Sequence, residues 1–227
     1  MKKIIACAGL NGNEKALDKL LAAIKQRKPD GVLFAGGIVA PHTHIAHKAE
    51  FMKKFFEVLG GSAPAVAIIP GPNDSPLREF YRAALNAEVV YPALMAVHAT
   101  SFTRDDYAVC GIGGMLTESE DTDFPIIRYS HAAAEYYLRT LWQVEKTIKI
   151  LLLSEPPPGQ LGGSDGNPIA QEFITSYHPS ICIVAGNKEN RGSEMFAKTL
   201  VVNPGAIADG SAAWIERIAK KVEMLDL

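Results

Sequence analysis

Ala65-Val66-Ala67-Ile68-Ile69-Pro70-Gly71-Pro72-Asn73-Asp74-Ser75-Pro76 is the stretch on which the fold class turns. A short apolar run rich in β-branched residues stops abruptly in a Pro/Gly/Asn/Asp loop. That grammar predicts a buried strand feeding a tight polar turn. The same pattern recurs at Lys3–Ala8 before Gly9-Leu10-Asn11-Gly12-Asn13, and at Val32–Ala35 before Gly36-Gly37. It returns at Ile150–Leu153 before Ser154-Glu155-Pro156, and at Ile181–Ala185 before Gly186-Asn187-Lys188-Glu189. Five strands thus deliver five turn-bearing loops, expected at one edge of an open α/β sheet, where such sheets place ligands.

Between the strands, helical spacing is plain. Leu17, Leu20, Leu21 and Ile24 share one face of a helix predicted over Glu14–Arg27, with Asn13 as its cap. A second helix is predicted from His44 to Leu59, ended by Gly60-Gly61, and a shorter one over Leu77–Leu85. Glu88–Tyr91 reads as a short strand. Ala93–Phe102 and Tyr107–Ile112, joined by Thr103-Arg104-Asp105-Asp106, read as an antiparallel hairpin. An acidic loop covers 113–125, and a helix is predicted over Ser130–Val144. Further strands are expected at Thr147–Leu153, Ser180–Ala185, Thr199–Val202, Ala212–Ile218 and Lys221–Leu225, with a helix at Pro168–Tyr177. Parallel crossovers in the first half and extra antiparallel strands in the second require two sheets. The expected fold is α/β, a four-layer αββα sandwich of two mixed sheets flanked by helices, in one domain spanning residues 1–227.

Composition narrows the function classes. The 227 residues are 48% hydrophobic and 21% charged, enough for a large core and too apolar for disorder. A net charge of −2 gives no basic footprint for nucleic acid. No apolar run reaches membrane-spanning length, and the N-terminal Met-Lys-Lys-Ile-Ile-Ala-Cys reads as a first strand rather than a leader. Cys7, Cys110 and Cys182 sit in or beside apolar strands with no CxxC spacing, so they are expected as reduced structural thiols in a cytoplasmic protein. Nucleophile-elbow, P-loop and Gly-x-Gly-x-x-Gly motifs are all missing.

In their order, the five loops and a final Asn203-Pro204-Gly205 resemble those of the calcineurin-like metallophosphoesterases over nearly the whole chain. Members of that family carry Asp-x-His-Gly-Asn, Gly-Asp, Gly-Asn-His-Asp/Glu, a lone His, Gly-His-x-His and often Asn-Pro-Gly. The resemblance implies the αββα sandwich already reached and hydrolysis of phosphate esters by two divalent metal ions, set roughly 4 Å apart by converging carboxylates and imidazoles. Residue by residue, the scaffold positions match and the ligand positions do not. Gly9 and Asn11 stand for Asp and His in the first loop, and Gly37 for the bridging Asp in the second. Pro72 and Asn73 replace the ligand Asn and catalytic His of the third, although Gly71 and Asp74 remain. Glu155 stands for the lone His, and Asn187 and Glu189 for the last two histidines. The chain is therefore similar to bacterial members that have lost the dinuclear site.

The residues left at that edge are Asn11, Asn13, Asn73, Asp74, Glu155, Asn187, Lys188 and Glu189, expected to form a hydrogen-bonded polar pocket for a small anionic ligand or phosphoester. Asp74 and Asn73 are the candidate catalytic positions. No cofactor is expected. A single hard cation (Mg²⁺, Ca²⁺ or Mn²⁺) is the lesser reading, with Asp74, Glu155 and Glu189 as ligands and His42 and His44 as further members. Lys188 and Arg191 could attract an anion or simply be solvated. His42, His44 and His47 crowd a helix start, whereas His98, His131 and His178 read as structural. The main reading is an impaired phosphoesterase homologue that binds a ligand or a protein partner, the alternative an active enzyme with an unusual site. Oligomeric state is left open.

Overall fold

A computed structural model describes residues 1–145 and 148–227. The chain begins β1 (Lys3–Cys7), α1 (Glu14–Arg27), β2 (Gly31–Phe34), α2 (Ile45–Gly60), β3 (Val66–Ile68), α3 (Leu77–Val90) and β4 (Leu94–Ala96). It continues through β5 (Ser101–Arg104), β6 (Tyr107–Ile112), β7 (Met115–Thr117), β8 (Arg128–Ser130), α4 (His131–Leu138) and α5 (Thr140–Gln143). Last come β9 (Ile148–Leu153), α6 (Pro168–Tyr177), β10 (Ile181–Val184), β11 (Gly192–Phe196), β12 (Thr199–Asn203), β13 (Ser211–Glu216) and β14 (Lys221–Asp226).

Two six-stranded sheets form, in the orders β14-β13-β1-β2-β3-β4 and β11-β12-β10-β9-β6-β5. In the first, β1 to β4 are parallel and β13 and β14 antiparallel. In the second, β6, β9, β10 and β12 are parallel, while β5 and β11 close the edges antiparallel. Period-2 alternation sends each strand's residues to two faces. Ile4, Ala6, Leu33, Ala67 and Ile69 meet Val109, Ile150, Leu152, Ile183 and Val202 in a core between the sheets. Ile5, Cys7, Val32, Phe34 and Ile68 face outward against α1, α2 and α3, with Phe34 against Phe55 at 4.8 Å. Cys110, Leu151, Leu153 and Val184 face α4, α5 and α6. Three apolar layers between four structural layers make the αββα sandwich.

The structure corrects several boundaries. Glu88–Tyr91 is not a strand: α3 runs on to Val90, because Phe80, Ala83, Ala84 and Ala87 keep a helical buried face and Glu88 accepts a hydrogen bond from Ala96 N–H at 2.7 Å. Ala93–Phe102 is not one hairpin arm. It splits into β4 in the first sheet and β5 in the second, and residues 97–100 cross between them. The 113–125 loop contains β7, paired in parallel with β8. The helix over Ser130–Val144 breaks at Arg139, where Thr140 turns its hydroxyl to the Tyr137 carbonyl and Cys110 Sγ. The polar edge strand β11 lacks an apolar alternation and was illegible in the sequence. Thr147, the first residue of a predicted strand, lies outside the described residues. No helix among the described residues is long and apolar enough to cross a membrane.

Candidate functional site

All parallel strands of both sheets end at one edge, and their loops pack on one another there. Gly9 N–H donates to Gly36 O, Asn11 N–H to Gly37 O and Gly12 N–H to Ile38 O, at 2.8–2.9 Å. Ile207 N–H donates to Ala8 O at 2.8 Å, drawing in the segment after Asn203-Pro204-Gly205. The loops after β1 and β2 are thus zipped backbone to backbone. A Cβ added at Gly37 would lie 3.0 Å from Gly9 Cα, and one added at Gly71 would collide with Gly37 N. Gly37 also has φ +79°, a conformation that L side chains rarely adopt.

Asp74 is fully buried and its carboxylate is consumed by the backbone. Oδ2 accepts from Gly71 N–H at 2.6 Å, Ile38 N–H at 3.0 Å and Gly37 N–H at 3.1 Å, and Oδ1 accepts from Val39 N–H at 2.9 Å. Four convergent amides form an anion nest that this side chain fills from within. Burial raises the carboxyl above its ordinary range, with the four amides opposing. Next to it, Lys48 on the buried face of α2 donates Nζ–H to Asn73 O at 2.7 Å, Ser75 O at 3.1 Å and Ser75 Oγ at 3.4 Å. Burial holds that ammonium below its ordinary range, the Asp74 charge acting against the shift. Lys48 escaped the sequence reading, although a lysine one turn before Met52, Phe55 and Leu59 on an apolar stripe is the signal for it.

The other predicted residues are dispersed. Asn13 caps α1, accepting from Ala16 N–H at 3.1 Å, and Asn11 is exposed on the first loop with φ +49°. Glu155 turns toward the second sheet's outer side, accepting from Leu116 N–H at 2.7 Å and Asn167 Nδ2 at 2.8 Å, and burial raises its carboxyl. Asn187 accepts from Asn190 N–H and donates to Asp165, while Glu189 is exposed. Lys188 donates to Asp209 O at 2.9 Å, and Arg191 pairs with Asp226 at 2.6 Å. Asn11 and Asn73 line two different hollows of this edge. Among the described residues, no group of three His, Cys, Asp or Glu is placed to hold a metal ion. The donor set does not fit a dinuclear centre: Gly37, which the resemblance puts at the bridging position, has no side chain, and the Asp74 carboxylate is turned onto four backbone amides.

Two cavities open on this edge. One of about 430 Å³ lies between the first loop and α2, lined by the Glu14–Lys54 ion pair, His47 and Glu50. The other, of about 510 Å³, contains Asn73 together with His42, His44 and Lys48. Its apolar walls are Pro41, Ile45, Phe124, Pro125 and Ile126.

A family model described as metallophosphoesterase, calcineurin superfamily, matches residues 1–227. The chain belongs to this superfamily. Among solved structures, TT1561 of Thermus thermophilus is 27% identical with a TM-score of 0.91, covering 99% of this chain and 98% of that one. A second structure is 25% identical with a TM-score of 0.89 over the same shares. A structure titled as a novel archaeal phosphodiesterase, 12% identical with a TM-score of 0.55 and 99% of both chains covered, shares the fold. Comparison with curated proteins gives no match.

Proposed function

We propose that this chain is a catalytically impaired phosphoesterase homologue that works without a dinuclear metal site and binds a small anionic ligand at the former active-site edge. The observation that carries the reading is the approach of Gly37 to Gly9 and Gly71, which puts backbone where a bridging carboxylate would stand. The four amide bonds to Asp74 support it, because they turn both oxygens of this buried carboxylate toward the loop backbone. The competing reading, an active enzyme using Asp74, Glu155, Glu189, His42 and His44, would need such residues grouped around a metal, and among the described residues no group of three is so placed. A cytoplasmic setting belongs to the same proposal and is supported by three buried, unpaired thiols.

Elemental analysis of the purified protein, with a screen of 4-nitrophenyl phosphate and bis(4-nitrophenyl) phosphate in Mn²⁺, Mg²⁺ or Ca²⁺, tests the proposal. The expected result is no stoichiometric metal and no metal-dependent turnover; robust turnover that follows added metal overturns it. Gly37→Asp, which restores the family's residue, is expected to lower stability by about 1–3 kcal/mol and to leave thermal unfolding insensitive to Mn²⁺.

A further inference from the structure

The 510 Å³ cavity differs from its neighbour in chemistry. Among the described residues no Asp or Glu lines it, while Lys48, His42 and His44 do; the Asp74 carboxylate lies buried behind Lys48, turned onto backbone amides. The neighbouring cavity mixes Glu14 and Glu50 with Lys54 and His47. Lys48 is held by two carbonyls and a hydroxyl, and the Asp74 charge acts on it from a distance with no ion pair between them among the described residues. His44 Nδ1 accepts from Ala46 N–H at 3.3 Å, which leaves the proton of a neutral ring on Nε2, free to donate. Asn73 holds Lys48 through its backbone carbonyl, so its side-chain amide remains for another partner.

The opposite wall is apolar, and it is fixed. Ile127 N–H donates to Pro72 O at 2.9 Å, Ser75 Oγ–H donates to Pro125 O, and Met115 N–H donates to Ile127 O at 2.9 Å. The first two bonds tie the segment before β8 to the loop after β3, and the third ties it to β7. Phe124 is nevertheless 56% exposed, an aromatic ring beside an open hollow with its backbone neighbours anchored. A preformed cavity of this size, with apolar walls and a few convergent polar groups, is what small-molecule sites look like.

We infer that this cavity binds a small aromatic anion, its ring against Phe124, Pro125 and Pro41 and its anionic group toward His42, His44 and Asn73. The inference rests on the proposed function above, since it gives the anionic ligand of that reading a place and a chemical class. An aromatic body matches the Phe124 face, where ring–ring contact adds to area burial. An anion matches a rim of imidazole and amide hydrogen-bond donors with the Lys48 ammonium behind them and no carboxylate among the described lining residues.

Phenylphosphonate tests this, because it has a ring and an anion but no ester to cleave. Binding is followed by ¹H–¹⁵N spectra of the full chain in EDTA, with methylphosphonate and benzyl alcohol as the anion-only and ring-only probes. The expected result is shifts confined to residues 41–48, 73 and 124–127, with a dissociation constant on the order of 1 mM. Phe124→Ala or His42→Ala weakens that binding about fivefold or more, and both single-feature probes bind about tenfold more weakly than phenylphosphonate. Both variants alter exposed side chains, and their unchanged spectra elsewhere report an intact fold. Shifts outside the cavity, equal affinity for either single-feature probe, or affinity unaltered by Phe124→Ala overturns the inference. EDTA separates the outcomes: metal-dependent turnover in the screen would overturn the proposed function while leaving this titration to be judged by itself.

Discussion

Asp74 ties together the backbone of the two loops it lies between. Its carboxylate gathers amides from two loops, 36–39 and 71–74, and so sets the distance between the turns after β2 and β3. Asp74→Ala strands three buried donors and one half-buried one, each buried donor costing about 1–3 kcal/mol when left unsatisfied. The expected outcome is a loss of at least about 3 kcal/mol, read from urea unfolding. A variant as stable as the parent would show that the nest is not needed. Gly37 makes the complementary point. With φ +79° and Gly9 Cα at its side, it accepts no carboxylate without moving a loop.

Among the elements, β12 and its Asn-Pro-Gly end play the pinning role on the second sheet. Asn203 is buried and makes three hydrogen bonds: Oδ1 accepts from Gly205 N–H at 2.9 Å, and Nδ2 donates to Leu161 O at 2.9 Å and Asn190 O at 3.0 Å. One side chain thus anchors the long loop before α6 and the loop between β10 and β11. Asn203→Ala is expected to cost about 2–4 kcal/mol. Amide hydrogen exchange should quicken first at 159–163 and 186–191 while β9 and β10 stay protected. Uniform acceleration throughout the sheet would contradict a local pinning role.

On the scale of the whole molecule, the sandwich is joined where the chain crosses from β4 to β5, and His98 sits at that crossing. It is 2% exposed, accepts from Gly113 N–H at Nδ1 (2.9 Å) and lies 3.0 Å from the Tyr129 hydroxyl at Nε2. Burial lowers its imidazole from about 6.5 to about 3. The unfolded chain therefore binds a proton below pH 6.5 that the folded chain refuses, so stability falls as pH drops from about 6.5 toward 3. Asp74 and Glu155, raised by burial, act in the opposite sense: their contribution is largest at low pH and is lost as pH rises. The useful reading is the difference between parent and His98→Asn, whose unfolding free energy should lose about one proton's worth of slope between pH 6 and 4. Identical slopes would remove His98 from the account. The thiols report cooperativity. Burial pushes Cys7 and Cys182 far up and Cys110 to about 11, and they lie on both sheets. Reaction with a disulfide reagent is expected to be absent in the native protein and to occur for all three at one rate, that of global opening. Independent rates would mean that the sheets open separately.

The layer order, the strands of both sheets' interiors and the superfamily were legible in the residues themselves, because apolar periodicity and turn chemistry are local and survive the loss of function. Gly71, Asn203-Pro204-Gly205 and the Asn13 cap could be placed from neighbours a few positions away. Which residues share a site was not legible. Asp74 and Glu155 read alike as loop carboxylates after strands, yet one faces amides between two loops and the other a helix cap across the second sheet. Lys48 and Phe124 lie 76 positions apart and line one cavity only because β7–β8 folds its loop back over the turn after β3. Local sequence determines the strand-and-loop scaffold through backbone sterics and burial. The direction in which a loop side chain points depends on donors brought in by distant strands, and that was decided by the tertiary structure alone.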